Sequence, residues 1–228
     1  MAYRVAHPTA FSTLARLSIL ILILLAGCST LEEHRVGALV EHGATPASFR
    51  VCHGSGCRIE TPVDLDEHAW DRVRALFEPA AATAPEERRR AADAIGLMER
   101  LVASQAGTAN DAGRNLAVAD QSTQLDCVDE AVNSSTYLHM IEADGLLRFH
   151  AVDPPAHRGG VILAHNTAVL REIATGRRYA VDSWFYDNGA PAVVLPLQTW
   201  LDGWEPGDSP SLAEGPAPTG TPSSANSP

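Results

Sequence analysis

After a strand-like stretch at residues 48–62, apolar residues recur at helical spacing to about residue 145 and at strand-like spacing after it. The run Ser48-Phe-Arg-Val-Cys52, the turn-rich His53-Gly-Ser-Gly56 and the run Cys57-Arg-Ile-Glu-Thr61 predict a β-hairpin ending at Pro62. Residues 64–78 predict a helix: Asp64 can cap it, Glu67 stands three positions on, and Trp70, Val73 and Phe77 share a face. A second helix is predicted from Pro85 to about Ser104, with Glu86 and Glu87 in its first turn. Its apolar stripe is Ala91, Ala94, Ile95, Met98, Leu101 and Val102, and Glu86-Glu-Arg-Arg-Arg90 reads as a solvated face. A third helix starts at Asp126 or Cys127 and runs to about Ala143, with Gly145 as its stop. Strands are predicted at Leu147–Val152, ended by Pro154 and Pro155, and at Val161–Ile173, Arg178–Phe185 and Ala192–Leu197. Leu197–Trp204 closes the pattern as a short helix. Helices followed by antiparallel strands make the expected fold class α+β.

The two ends do not fit that pattern. Residues 1–27 carry only Arg4 and Arg16 as charges, then the apolar run Ser18–Leu25, then Ala26 and Gly27. That order is the n-region, h-region and cleavage site of an export signal, and the run is too short to span a bilayer. Leu25-Ala26-Gly27-Cys28 resembles the lipobox of bacterial lipoproteins. The resemblance implies a diacylglycerol on the Cys28 sulfur, an acylated new N-terminus carrying a chain such as palmitate, and stable membrane anchoring. Ser29, rather than Asp, implies sorting to the outer membrane, facing the periplasm. Residues 28–44 read as a tether, 45–205 as a single domain, and 206–228 as a Pro/Ser-rich disordered tail.

Charge and cysteine content narrow the function. The formal charge of −11 becomes −13 once Arg4 and Arg16 are removed, which disfavours nucleic acid as a partner. Every one of the 17 basic residues is Arg, so the chain cannot cross-link itself through Lys side chains. Export puts Cys52, Cys57 and Cys127 in an oxidising compartment. Cys52 and Cys57 flank one small loop and are expected to pair, leaving Cys127 as the odd thiol. Cys52, His53 and Cys57 also offer three metal-ligand types, but no fourth ligand is local and oxidation competes. No metal or cofactor is expected.

Three segments carry candidate chemistry: Asp126-Cys127-Val-Asp-Glu-Ala, His165-Asn-Thr-Ala-Val-Leu170, and Tyr179-Ala-Val-Asp182-Ser-Trp184. A cysteine where a loop becomes a helix meets free N–H groups, which favour a thiolate and can hold an oxyanion. Asp126 and Asp129 oppose the thiolate, so a positive partner is needed. Alone, Cys127 reads better as a small buried hydrophobe, with Ala131, Ser135 and Leu138 on the same face. His165 and Asp182 fall close together across the strand pair, where the carboxylate can orient the imidazole and leave its other nitrogen for Cys127.

This order of helix-borne Cys127, strand His165 and next-strand Asp182 resembles the transglutaminase-like, papain-related cysteine hydrolases of bacteria. The likeness covers about residues 121–185 and leaves residues 45–105 unaccounted for. It implies a Cys-bearing helix packed on an antiparallel sheet and acyl transfer from a peptide or amide substrate through a thioester. It also implies a Gln side chain at the oxyanion, for which Gln121 is preferred over Gln124. The competing expectation is a non-catalytic envelope lipoprotein that uses the same fold as a binding or scaffolding module.

Overall fold

The computed structural model describes residues 30–115, 122–159 and 164–208. The mixed α+β class holds: among the described residues, five helices accompany a two-stranded and a four-stranded sheet, both antiparallel. Cys28, the segment before it expected to be an export signal, and residues 209–228 of the expected tail lie outside the described residues.

The expected tether, residues 28–44, is folded in part. Residues 30–37 form a helix, α1, whose Val36 is completely buried against Cys52, Cys57, Val128, Ala131 and Val132. Strands β1 (Phe49–His53) and β2 (Ile59–Val63) form the expected hairpin, closed by a Cys52–Cys57 disulfide with Cα atoms 4.7 Å apart. Helix α2 (Glu67–Ala75) is capped by Asp66, which accepts from Ala69 N at 2.7 Å, and not by Asp64. The main-chain N–H and carbonyl of Asp64 are instead held by the Gln105 side chain.

Helix α3 (Ala84–Ala106) starts on Thr83, which accepts from Glu86 N, and stops at left-handed Gly107. Its first turns are not a solvated face. Glu87 is fully buried under the start of the large sheet, and Arg90 is nearly so, with its guanidinium on the Pro79 carbonyl and the Glu86 carboxylate. Helix α4 (Cys127–Ala143) is buried along almost its whole length. That explains its weak amphipathicity: a helix covered on all sides has no solvent face to mark in sequence.

The large sheet runs β3 (His150–Arg158), β4 (His165–Glu172), β5 (Arg178–Asp182), β6 (Val193–Pro196) in order. Strand β3 continues through Pro154 and Pro155, where a break was expected. It is an edge strand and shifts register between Asp153 and Ala156, so the missing N–H groups disturb no second ladder. Strand β4 is covered on both faces, which explains its unbroken apolar run. Ala168 and Leu170 join Tyr137, Leu138 and Ile141 of α4, whereas Val169 joins Ala180, Leu197 and Trp200 under α5 (Leu197–Leu201).

Candidate functional site

Cys127 is the first residue of α4, as the loop-to-helix transition suggested. Asp126 is the N-cap, and its Oδ1 accepts from Val128 N at 3.0 Å and Asp129 N at 3.1 Å. The Asp129 carboxylate returns a bond to Asp126 N at 3.1 Å, completing a capping box. The first-turn N–H groups expected to serve an oxyanion are therefore occupied at Val128 and Asp129. The Cys127 N–H has no acceptor among the described residues.

The Cys127 sulfur lies 3.8 Å from the Ala164 carbonyl and 3.7 Å from Asn166 Nδ2. It thus rests against the chain on both sides of His165. Burial pushes the thiol up to about 11, and Asp126 and Asp182 push the same way, while the Asn166 backbone N–H and amide pull it down. The thiolate favoured by a helix terminus is outweighed here, and the resting sulfur is a neutral thiol.

His165 and Asp182 are paired. His165 Nε2 lies 2.8 Å from Asp182 Oδ2, with the two side chains only 7% and 1% exposed. The register Ala168↔Val181 puts Asp182 on the Ala180 face of β5, where His165 reaches it diagonally from β4. Trp200 Nε1 donates to Asp182 Oδ2 at 2.7 Å, and Trp184 N donates to Oδ1 at 3.2 Å. The His165 ring packs on Trp184, Trp200 and Phe185 at centroid distances of 4.6, 5.4 and 5.5 Å. These rings dry the His–Asp contact and strengthen its electrostatics. His165 Nδ1 has no partner among the described residues, and no hydrogen bond joins it to the Cys127 sulfur there.

Several contributors were not legible beforehand. Asn166 follows His165 and so faces the α4 side, with its Oδ1 held by His157 Nδ1 at 3.1 Å and its Nδ2 turned to the sulfur. Trp200 comes from the far end of the domain. Gln121 lies outside the described residues. Gln124 braces the preceding loop through Asn115 Nδ2, Ala112 N and the Asn110 carbonyl. Cys52 and Cys57 bond to one another, and His53 is held by Ser122 O at 2.5 Å and Thr61 Oγ1 at 2.7 Å, so these three side chains are engaged elsewhere than on a metal.

Behind the site lies a buried acid cluster. Ser183 Oγ donates to Glu130 Oε2 at 2.5 Å, and Glu99 Oε2 accepts from Gly189 N at 2.6 Å. Burial, opposed by Gly189 N–H and reinforced by Asp111, pushes Glu99 up to about 8. Burial with Glu99 and Asp111 pushes Glu130 well above the carboxylate range. Asp111 and Asp129 rise to about 6 and about 7, again mainly by burial. Carboxyls protonated when folded but ionised when unfolded make folding take up protons, so stability falls as pH rises from about 4.5 to about 8. The carboxylates held low, Glu87, Asp144 and Glu172 among them, lose their contribution only below their ordinary range, outside this window. His139, held low mainly by burial, works the other way near its ordinary 6.5 and is one group against four. The thermal unfolding midpoint is expected to be lower at pH 8 than at pH 5.5, with Glu99→Gln shrinking the difference. A midpoint that rises over this range contradicts the assignment.

No protein-family model, no curated protein and no solved structure matches this chain.

Proposed function

We propose that the protein is a cysteine hydrolase or acyltransferase of the transglutaminase-like kind, acting on an amide or peptide carbonyl in the bacterial envelope. The observation that carries this reading is the Cys127 sulfur set against the chain on both sides of His165, whose ring is already fixed by Asp182. The reaction starts from a neutral thiol. His165 Nδ1 takes the Cys127 proton as the sulfur bonds to the carbonyl carbon. The Cys127 N–H, without an acceptor among the described residues, serves as the oxyanion donor in this reading, with Gln121 as the second donor that the family resemblance implies. Collapse breaks the C–N bond, and the leaving amine takes the proton from His165. Water, or an acceptor amine, then attacks the thioester with His165 again as base, releasing acid or a new amide and restoring the thiol. Asp182 holds the ring and balances its transient charge.

The experiment is acid-quenched mass spectrometry after exposure to an activated acyl ester such as p-nitrophenyl acetate. One acyl group on Cys127, absent from Cys127→Ala, is expected. An adduct-free Cys127 favours the second reading, a binding module. The observations on that side are the thiol pushed up to about 11 and the occupied α4 donors.

The Leu25–Cys28 lipobox supports anchoring through lipid on Cys28, with the domain in the periplasm on the outer membrane. Cys28→Ala is expected to move the protein to the soluble or unprocessed fraction. A processed Cys28→Ala form still in the membrane fraction contradicts the anchor.

A further inference from the structure

The Cys52–Cys57 loop is docked almost entirely onto the segment that delivers Cys127. Four consecutive residues, Gly54, Ser55, Gly56 and Cys57, have positive φ angles of 78, 72, 70 and 57°. That winding turns Ser55 N and Cys57 N the same way, onto Asp129 Oδ2 and Oδ1 at 2.8 and 2.6 Å. Ser55 Oγ donates to Asp126 Oδ2 at 2.7 Å. Gly54 N donates to the Gln124 carbonyl, and His53 Nδ1 meets the Ser122 carbonyl. The Asn133 amide brackets Cys52, taking its N–H and giving to its carbonyl, both at 2.8 Å. Every residue from 52 to 57 except Gly56 therefore bonds to residues 122–133. The two carboxylates held by the loop, Asp126 and Asp129, are those flanking the nucleophile, and Cys127 itself packs on the cluster that includes Cys52 and Cys57.

We propose that the disulfide-closed loop is a clamp that positions Cys127, so that oxidation of Cys52 and Cys57 is a condition for the site's native geometry. The loop is a positioning element, acting through Asp129 and Asp126 and touching no substrate. Four successive left-handed residues, two of them not glycine, are disfavoured in an open chain, and the short covalent ring restricts the alternatives. A dithiol reductant opens the ring. Its two thiols give two electrons and two protons to the Cys52–Cys57 bond, leaving two cysteine thiols and an oxidised dithiol. With the ring open, the loop leaves Asp129 and Asp126, and Cys127 loses apolar cover.

This regulation rests on the hydrolase reading for its purpose, and its test needs no substrate. The site is expected to lose acyl transfer in a dithiol and regain it on reoxidation. The deciding measurement is the pH dependence of Cys127 alkylation by iodoacetamide in the purified full chain, read site by site by mass spectrometry. It is made on the oxidised protein, the dithiothreitol-treated protein and Cys52→Ala/Cys57→Ala. Opening the ring is expected to move the Cys127 midpoint down toward the ordinary thiol value of about 8.5, with alkylation at pH 8 at least about tenfold faster. The reduced protein is expected to keep its cooperative unfolding transition, and reoxidation to restore the slow profile. Free Cys52 and Cys57 with an unchanged Cys127 profile overturn the clamp, and so does loss of the whole fold on reduction. Failure of the hydrolase reading shows separately, as an absent acyl adduct on the oxidised protein.

Discussion

His165→Ala is expected to slow acylation of Cys127 at neutral pH by roughly 10²–10⁴, the usual contribution of a positioned general base. The thiol is neutral at rest, so its proton must leave as the carbon–sulfur bond forms. In an ordinary ion-pair site the imidazolium has already taken that proton. Here burial and two nearby carboxylates hold the proton on sulfur, and the base is needed in the bond-forming step itself. Asp182→Asn is expected to act in the same direction and to leave more residual activity than Cys127→Ala, since it removes orientation and charge but not the nucleophile. The Trp200 indole donates to the oxygen that meets His165 and the Trp184 backbone N–H donates to the other, so the single amide oxygen of an asparagine serves one side only and leaves its NH2 facing a donor on the other. Acid-quenched mass spectra over time give these rates without knowledge of the natural substrate.

Glu87→Ala is expected to destabilise the domain by about 3–5 kcal/mol, the range for emptying one side of a buried charged contact. Glu87 accepts from Arg148 N, Phe149 N and His150 N at 2.7, 2.9 and 3.0 Å, and His150 Nδ1 lies 2.8 Å away. Burial pushes this carboxyl up, but the bonds from His150, Arg148 and Phe149 outweigh it and hold it below its ordinary range. Its stabilising contribution is therefore present above about pH 4.5 and is lost as pH falls below that. Alanine leaves three backbone donors and an imidazole facing an empty, dry space at the point where β3 begins. For a domain of this size a fall in unfolding midpoint of roughly 10 °C is expected. A fall under about 2 °C contradicts the bonding described.

What the sequence made legible follows from where each signal is local. The start of α4 is written within a few residues: Asp126 and Asp129 form the capping box, and left-handed Gly145 follows the end of the helix. The first hairpin is similarly local, because Cys52 and Cys57 bracket a glycine-rich turn. The His165–Asp182 contact required only two neighbouring strands and their alternation. Misreadings arose where tertiary context overrides a local rule. Glu87 sits in a charged run indistinguishable from a solvated face until the start of the sheet is laid over it, and Arg90 until the Pro79 segment folds back on it. Pro154 and Pro155 end a central strand but not an edge strand. Asp64 and Asp66 are both acceptable caps, and the main-chain bonds from Asp64 to Gln105, 41 residues away, decide between them. In the site itself, Trp200 and Asn166 carry no motif, since their roles exist only once α5 and α4 cover opposite faces of β4.

The central claim is that Cys127 and His165 act as one chemical unit. The most direct measurement is the rate of Cys127 acylation by p-nitrophenyl acetate at pH 7 in the oxidised full chain, wild type against His165→Ala, with iodoacetamide alkylation at pH 11 as a control for access to the sulfur. The account predicts a gap of about a hundredfold or more in acylation at pH 7 and nearly equal alkylation at pH 11, where hydroxide replaces the base. Equal acylation rates at pH 7 contradict it.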